Sequence, residues 1–385
     1  MKKNSLLEKI VILVLFLAIS NSCKKLEWDD LENPYYCSGG DGILCDVAGV
    51  AGETGGSGEG KSARIAFLYW PMDIVEDSQG RILIVDFNNH SVRRIETDGT
   101  ISRIIGSGLL GDNPTGPATS INLNHPAEIK IGPNGDYWLS AWHNWKIKKI
   151  DQTSWQVTSP IGTSQGFAGD SGTADTAKLN LPSSLVFDTQ GNIFITDQGN
   201  QCIRRVDAVS NIITTFAGST SGYADGIGNT AQFAFPAGSN AGPGGKIALT
   251  NDGTHLIMAD TENNRIRKID IATAEVTTIA GTGAVGYSGD GGAATAAALY
   301  WPTDIAIGPD GSIYIADAKN NVVRKINGSG IISTVAGTGG EGSSPNGTMA
   351  TSALLYQPHG IYVSADNTLY IADTRNQQVK KVKNP

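Results

Sequence analysis

Helical periodicity is the first thing this 385-residue chain lacks. Across the repeated region no stretch holds a 3.6-residue apolar period beyond two turns, which excludes helical bundles and helical repeats. A membrane-spanning run is also missing. The apolar run over residues 10–19 has ten residues, whereas a spanning helix needs about 20. Basic excess is absent: 29 Lys and Arg stand against 37 Asp and Glu, and the formal net charge of −8 argues against nucleic acid as a partner. Cysteine is down to four residues and histidine to five, so any chemistry resting on them has few positions to use.

What is present is a repeat. A ten-residue phrase occurs six times, opening with Asp86, Ala141, Asp197, Asp260, Asp317 and Asp373. Asn stands three positions on, at Asn89, Asn144, Asn200, Asn263, Asn320 and Asn376. A β-branched residue, two basic residues and another β-branched residue close each copy, as in Val92-Arg93-Arg94-Ile95. Pro71, Pro126, Pro182, Pro302 and Pro358 each precede their copy by 15 residues; Pro236 lies 24 before Asp260. Successive prolines are 55, 56, 54, 66 and 56 residues apart, room for four short strands with Gly-rich turns between them.

Four-stranded units repeated about an axis make an all-β, six-bladed β-propeller. A short phrase ends each fourth strand, as in Phe216-Ala-Gly218 and Val335-Ala-Gly337, but the sixth unit ends at Pro385 without one. The orphan Val47-Ala-Gly49 supplies it. The expectation is therefore that residues 46–50 pair with residues 378–382, complete the last blade and close the ring.

Asp317-Ala-Lys-Asn-Asn-Val-Val-Arg-Lys-Ile326 and Asp260-Thr-Glu-Asn-Asn-Arg-Ile-Arg-Lys-Ile269, with upstream pieces such as Pro302-Thr-Asp-Ile305, resemble the NHL-repeat family. The Gly-rich connector Ala280-Gly-Thr-Gly-Ala-Val-Gly-Tyr-Ser-Gly-Asp-Gly291 is similar to those of long bacterial NHL proteins and of the teneurin NHL domain. The resemblance implies a six-bladed ring over residues 46–385 and leaves function open, since one fold hosts many functions. A related peptide-amidating lyase would imply zinc held by histidines in repeated Pro-His pairs. Only Pro358-His359 has that form here, so no such zinc centre is expected.

Residues 1–22 read as an export signal: Lys2 and Lys3, the apolar run, then Ser20-Asn-Ser-Cys23, which resembles a lipoprotein processing box with Cys23 as the lipidated residue. Lys24-Lys25 after it points, by the same resemblance, to the outer membrane, and residues 23–45 to a tether. An exported chain permits a disulfide between Cys37 and Cys45, worth roughly 2–3 kcal/mol on the chain-entropy model. Cys202 is expected to be inert.

The repeated aspartates are expected to be scaffold, accepting backbone N–H groups in the turn that follows them. Function is expected where the blades differ, on the top face that carries the connectors and the Asp-x-x-Asn tips. Blade two replaces Asp with Ala141 and reads Trp142-His143-Asn144-Trp145, with His90 and His125 on the same sector. Either these indoles are exposed to a protein or glycan partner, or they pack beneath a neighbouring connector. The residues after each proline add Asp73, Glu128, Asp304 and His359, with blade four contributing Ala237-Gly238. The leading expectation is a binding or scaffold module that needs no metal or cofactor. The alternative is a metal-dependent lactonase, hydrolase or lyase in the channel mouth.

Overall fold

Each ten-residue phrase folds as the hairpin joining the second and third strands of a sheet. In the fifth, Ile313–Asp317 pairs with Val322–Ile326 across the single 3-10 turn Ala318–Asn320, and Asn321 closes the turn with left-handed φ 55°. The structure, a computed structural model, describes residues 40–238 and 242–385. Six antiparallel sheets follow one another, and blades one to five each lay down four strands in chain order outward from the innermost. Their inner strands are Pro71–Glu76, Pro126–Ile131, Pro182–Phe187, Ile247–Leu249, Pro302–Ile307 and Gly360–Val363, in blades one to six. Short strands from the connectors, Lys61–Ser62, Gly116–Pro117 and Gly226–Ile227, add a fifth strand outside blades one, two and four.

Blade six is completed by Leu44–Ala48, which pairs antiparallel with Gln378–Lys383, Asp46 opposite Lys380. The closing strand thus starts and ends two residues earlier than expected, because Gly49 lies just beyond it. That glycine and its counterparts Gly106, Gly162, Gly218, Gly281 and Gly337 all take φ between 86° and 91°. A β-carbon on Gly49 would stand 2.1 Å from the Gln377 carbonyl oxygen, and one on Gly106 2.3 Å from that of His90. Only glycine tolerates both the dihedral and the contact, which explains the recurring phrase.

The repeated polar residues form a buried clamp. Asp317 accepts the Tyr300 N–H at 2.8 Å and the Asn320 side-chain amide at 2.8 Å. Asn320 donates in turn to the Gly286 carbonyl, and Arg324 joins Asp317 to Asp290 of the connector. The acceptor role expected for Asp is present, but the backbone N–H comes from the preceding connector, 17 residues upstream, not from the following turn. The first basic residue of each pair (Arg93, Lys148, Arg204, Arg267, Arg324 and Lys380) is at most 1% exposed. Burial raises the pKa of Asp86 and Asp197 to about 6 and that of Asp317 and Asp373 to about 7. Blade two has Ala141 instead, and Asn144 accepts the Asn124 N–H that an aspartate would have taken.

The export signal, Cys23 and Cys37 lie outside the described residues. Cys45 is disulfide-bonded, and Cys202 is a free, buried thiol whose pKa burial raises well above its usual value.

Candidate functional site

The second position after the proline faces the channel and carries Asp73, Glu128, Ser184 and Asp304; in blade six it is Gly360, where a β-carbon would stand 2.3 Å from the Met72 carbonyl oxygen. In blade four Lys246 holds this place, because its backbone pairs opposite Ala259 as Asp73 pairs opposite Val85. Pro236 and Ala237-Gly238 therefore do not begin this blade, contrary to expectation. The bottom turn is one residue longer, and the inner strand starts at Ile247.

These side chains lace the blades together. Asp73 accepts the Ile129 N–H at 2.9 Å, Glu128 that of Leu185 at 2.6 Å, and Ser184 that of Ile247 at 3.1 Å. Lys246 cannot accept. Its ammonium instead crosses to Asp73 at 2.6 Å, the Met72 carbonyl at 3.0 Å and Asp304 at 3.1 Å. Asp304 accepts both its own neighbour Ile305 and Ile361 of blade six. Lys130 pairs with Glu128 from lower in the channel. Three carboxylates and two ammonium groups thus form a plug, with Asp73, Glu128 and Asp304 at most 1% exposed. Burial raises Glu128 and Asp304 above the usual carboxylate range. Lys246 closes the channel mouth at these carboxylates, and Asp73 and Asp304 satisfy its charge.

Above the plug, the two sides of the mouth are sealed differently. On the blade-one and blade-two side Trp70, Met72, Phe87, Ala127, Trp142 and Leu181 pack into one apolar cluster. Trp142 is 1% exposed and offers no surface to a partner. On the other side Gln198 donates to the carbonyls of Pro236 and Gly242 and accepts from Gly244, fixing the ends of the blade-four insertion over the channel. A β-carbon on Gly242 would lie 3.9 Å from His359 Cε1. The His359 Nδ1 is buried without a hydrogen-bond partner. Desolvation, then the Lys246 charge, lowers its pKa to about 3.

The predicted histidines do come together. His143 Nδ1 lies 2.9 Å from His125 Nδ1, and His125 donates its backbone N–H to His90 Nδ1 at 3.3 Å. Desolvation lowers all three pKa values, that of His125 to about 4 with help from its two neighbours, so they are neutral at neutral pH. No group of His, Cys, Asp or Glu among the described residues is arranged to hold a metal.

An open cavity of about 480 Å³ lies beside them, lined by His143, Trp145, Gln165, Asn180, Leu181, Gly199, Ala237 and Gly238. It lies where a latch is missing. At five blade junctions the left-handed residue after the tip accepts the N–H of the residue just ahead of the next blade's proline. The pairs are Gln377 to Trp70, His90 to His125, Gln201 to Phe235, Asn264 to Trp301 and Asn321 to Gln357, at 2.7–3.3 Å. Trp145 occupies this place before Leu181, with φ 56°, and an indole has no acceptor to offer. Its own Nε1 is buried and unpartnered. No Lys, Arg, Asp or Glu lines the cavity, and half-buried Trp145 presents a ring beside the amides of Gln165 and Asn180.

Sequence reasoning missed Lys246 and the latch. Both were visible: Lys246-Ile-Ala-Leu249 aligns with Asp304-Ile-Ala-Ile307, and Trp145 alone interrupts a column of His, Gln, Asn, Asn and Gln. Gln165 and Asn180 carried no signal, since their roles depend on the gap that Trp145 leaves.

Comparison with known proteins agrees with this architecture. A family profile described as the teneurin NHL domain matches residues 247–348, and the NHL-repeat profile matches residues 355–382. Teneurin-1 of Caenorhabditis elegans is 24% identical over 84% of this chain and 13% of its own length. NHL repeat-containing protein 2 of Gallus gallus is 29% identical over 53% of this chain and 30% of its own. The chain thus spans less than a third of either curated relative. An auxiliary nutrient binding protein from Bacteroides thetaiotaomicron VPI-5482 shares the fold with TM-score 0.64 and 13% identity, covering 88% of this chain and 76% of that one.

Proposed function

This chain belongs to the NHL-repeat family, and we propose that its ring is a binding module whose principal seat is the cavity between blades two and three. The observation that carries this reading is an uncharged, partly aromatic cavity at the junction where Trp145 stands in place of the acceptor that the five other junctions carry. Its lining suits an uncharged polar ligand, or an uncharged side chain of a protein partner: a ring face from Trp145, an apolar wall from Leu181, and amides from Gln165 and Asn180 that can donate and accept. A closed ring needs little ordering on binding, which favours recognition. The description of the Bacteroides neighbour as a nutrient binding protein supports the same reading.

The alternative of metal-dependent hydrolysis or elimination in the channel mouth would draw on Asp73, Glu128, Asp304 and His359. The three carboxylates are already engaged by backbone amides and by Lys246 and Lys130, so no observation favours it.

Glycan and peptide arrays probed with the wild type and with His143→Ala/Trp145→Ala test the proposal. The expected result is ligands retained by the wild type and lost by at least tenfold in the variant, with an unchanged melting profile. Equal retention of every bound ligand by both chains contradicts it.

A further inference from the structure

Three consecutive connectors present an exposed aromatic ring at one repeated position, directly after the glycine whose carbonyl the tip asparagine holds. Phe167 follows Gly166, Tyr223 follows Gly222 and Tyr287 follows Gly286. They are 58%, 45% and 41% exposed. The same position holds Ser343, Gly56 and Asp112 before blades six, one and two, so the rings form a row on one half of the rim. Each lies over the buried arginine of the blade it precedes: Arg204 at 5.0 Å from Phe167, Arg267 at 5.1 Å from Tyr223 and Arg324 at 5.1 Å from Tyr287.

Around each ring the same polar groups recur. A carboxylate stands on that arginine, Asp170, Asp225 or Asp290, with 43–45% of its side chain exposed. A threonine of the fourth strand sits alongside. Thr215 bonds Asp170, Thr278 bonds Asp225 and the Tyr223 hydroxyl, and Thr334 bonds the Tyr287 hydroxyl. At the middle position Arg265 also stacks, 3.7 Å from the Tyr223 centroid, so a guanidinium plane covers part of that ring.

We infer that this row is a second binding surface, and that its ligand is a neutral, linear polysaccharide. A ring face with an adjoining carboxylate and hydroxyl matches a sugar unit, which pairs an apolar C–H face with hydroxyl donors. Repetition once per blade matches a polymer whose units also repeat, and linking weak contacts along one chain multiplies their effect. The exposed carboxylates and the net charge of −8 select against acidic polymers. The inference rests on the ring being a binding module but not on the cavity beside Trp145.

Native affinity electrophoresis of the full chain through gels holding mixed-linkage β-glucan, xylan, mannan or starch, with polygalacturonate as the acidic control, decides it. At least one neutral polymer should retard the wild type, and Phe167→Ala/Tyr223→Ala/Tyr287→Ala should weaken retention by about tenfold or more. Ser343→Tyr, which extends the row to blade six at the cost of the Ser343 hydroxyl's hydrogen bond to Gln378, should strengthen it about threefold. The His143→Ala/Trp145→Ala chain should still be retarded. Unaltered retention of the triple variant at an unchanged melting temperature, preference for polygalacturonate, or passage of the wild type through every neutral gel overturns the polysaccharide surface. If the cavity variant alone loses retention, the row is rejected while the module reading stands.

Discussion

The two halves of the channel mouth solve one closure problem with different chemistry. From blade four round to blade six, polar groups do it. Lys246 draws Asp73 and Asp304 together, Gln198 holds the insertion, and Asn264, Asn321 and Gln377 latch the next blades. Around blade two the closure is aromatic: Trp142 has filled inward against Phe87 at 5.9 Å, and Trp145 has replaced a latch. Hydrogen bonds specify one partner at one distance and so tie each of these junctions together. Rings fill volume without supplying acceptors, so an aromatic closure leaves a cavity at its margin.

The largest expected effect comes from breaking the polar half. Lys246→Met keeps much of the side-chain volume but leaves Asp73 and Asp304 buried without their cation. The expected loss is about 3–5 kcal/mol, read from urea unfolding against the wild type. A loss below about 1 kcal/mol would mean the plug does not hold the ring.

A second, smaller effect sets the same half against acid. The folded-state pKa of His359, lowered to about 3, lies below its unfolded value near 6.5. Between those values the unfolded chain binds the extra proton, so stability present at neutral pH is lost as pH falls. Relative to His359→Gln, the wild type should lose about 2 kcal/mol between pH 7 and pH 5, at about 1.4 kcal/mol per pH unit below 6.5. Parallel stability curves for the two chains over this range would place His359 in contact with solvent.

The contrast also explains what could be read from the sequence. Six blades and their closure were legible because glycine at φ near 88° and the Asp-Asn-Arg clamp are local demands repeated at fixed spacing. The closing strand was displaced by two residues because Gly49 marks where a strand stops, not its middle. Trp142 and Trp145 stand three residues apart and look alike as letters. Their fates differ because one position faces the mouth, where Phe87 and Gln198 are also buried, and the other faces a junction. Asp73, Glu128 and Asp304 were legible as channel candidates, but their cation Lys246 stayed hidden behind the longer turn and insertion of blade four. The aromatic row is written in the connectors, but its meaning depends on which arginines lie beneath, and that is a property of the folded blades.

The smallest energetic change is the sharpest test, because it converts one half of the mouth into the other. Trp145→Gln should restore an acceptor for the Leu181 N–H, add up to about 1 kcal/mol of stability and occupy part of the cavity. Hydrogen exchange at Leu181 measures this directly. In the wild type the Leu181 amide should exchange at least tenfold faster than those of Trp70, Trp301 and Gln357, and in the variant it should slow to match them. Equal protection of all four amides in the wild type would contradict the missing latch, and with it the origin of the cavity.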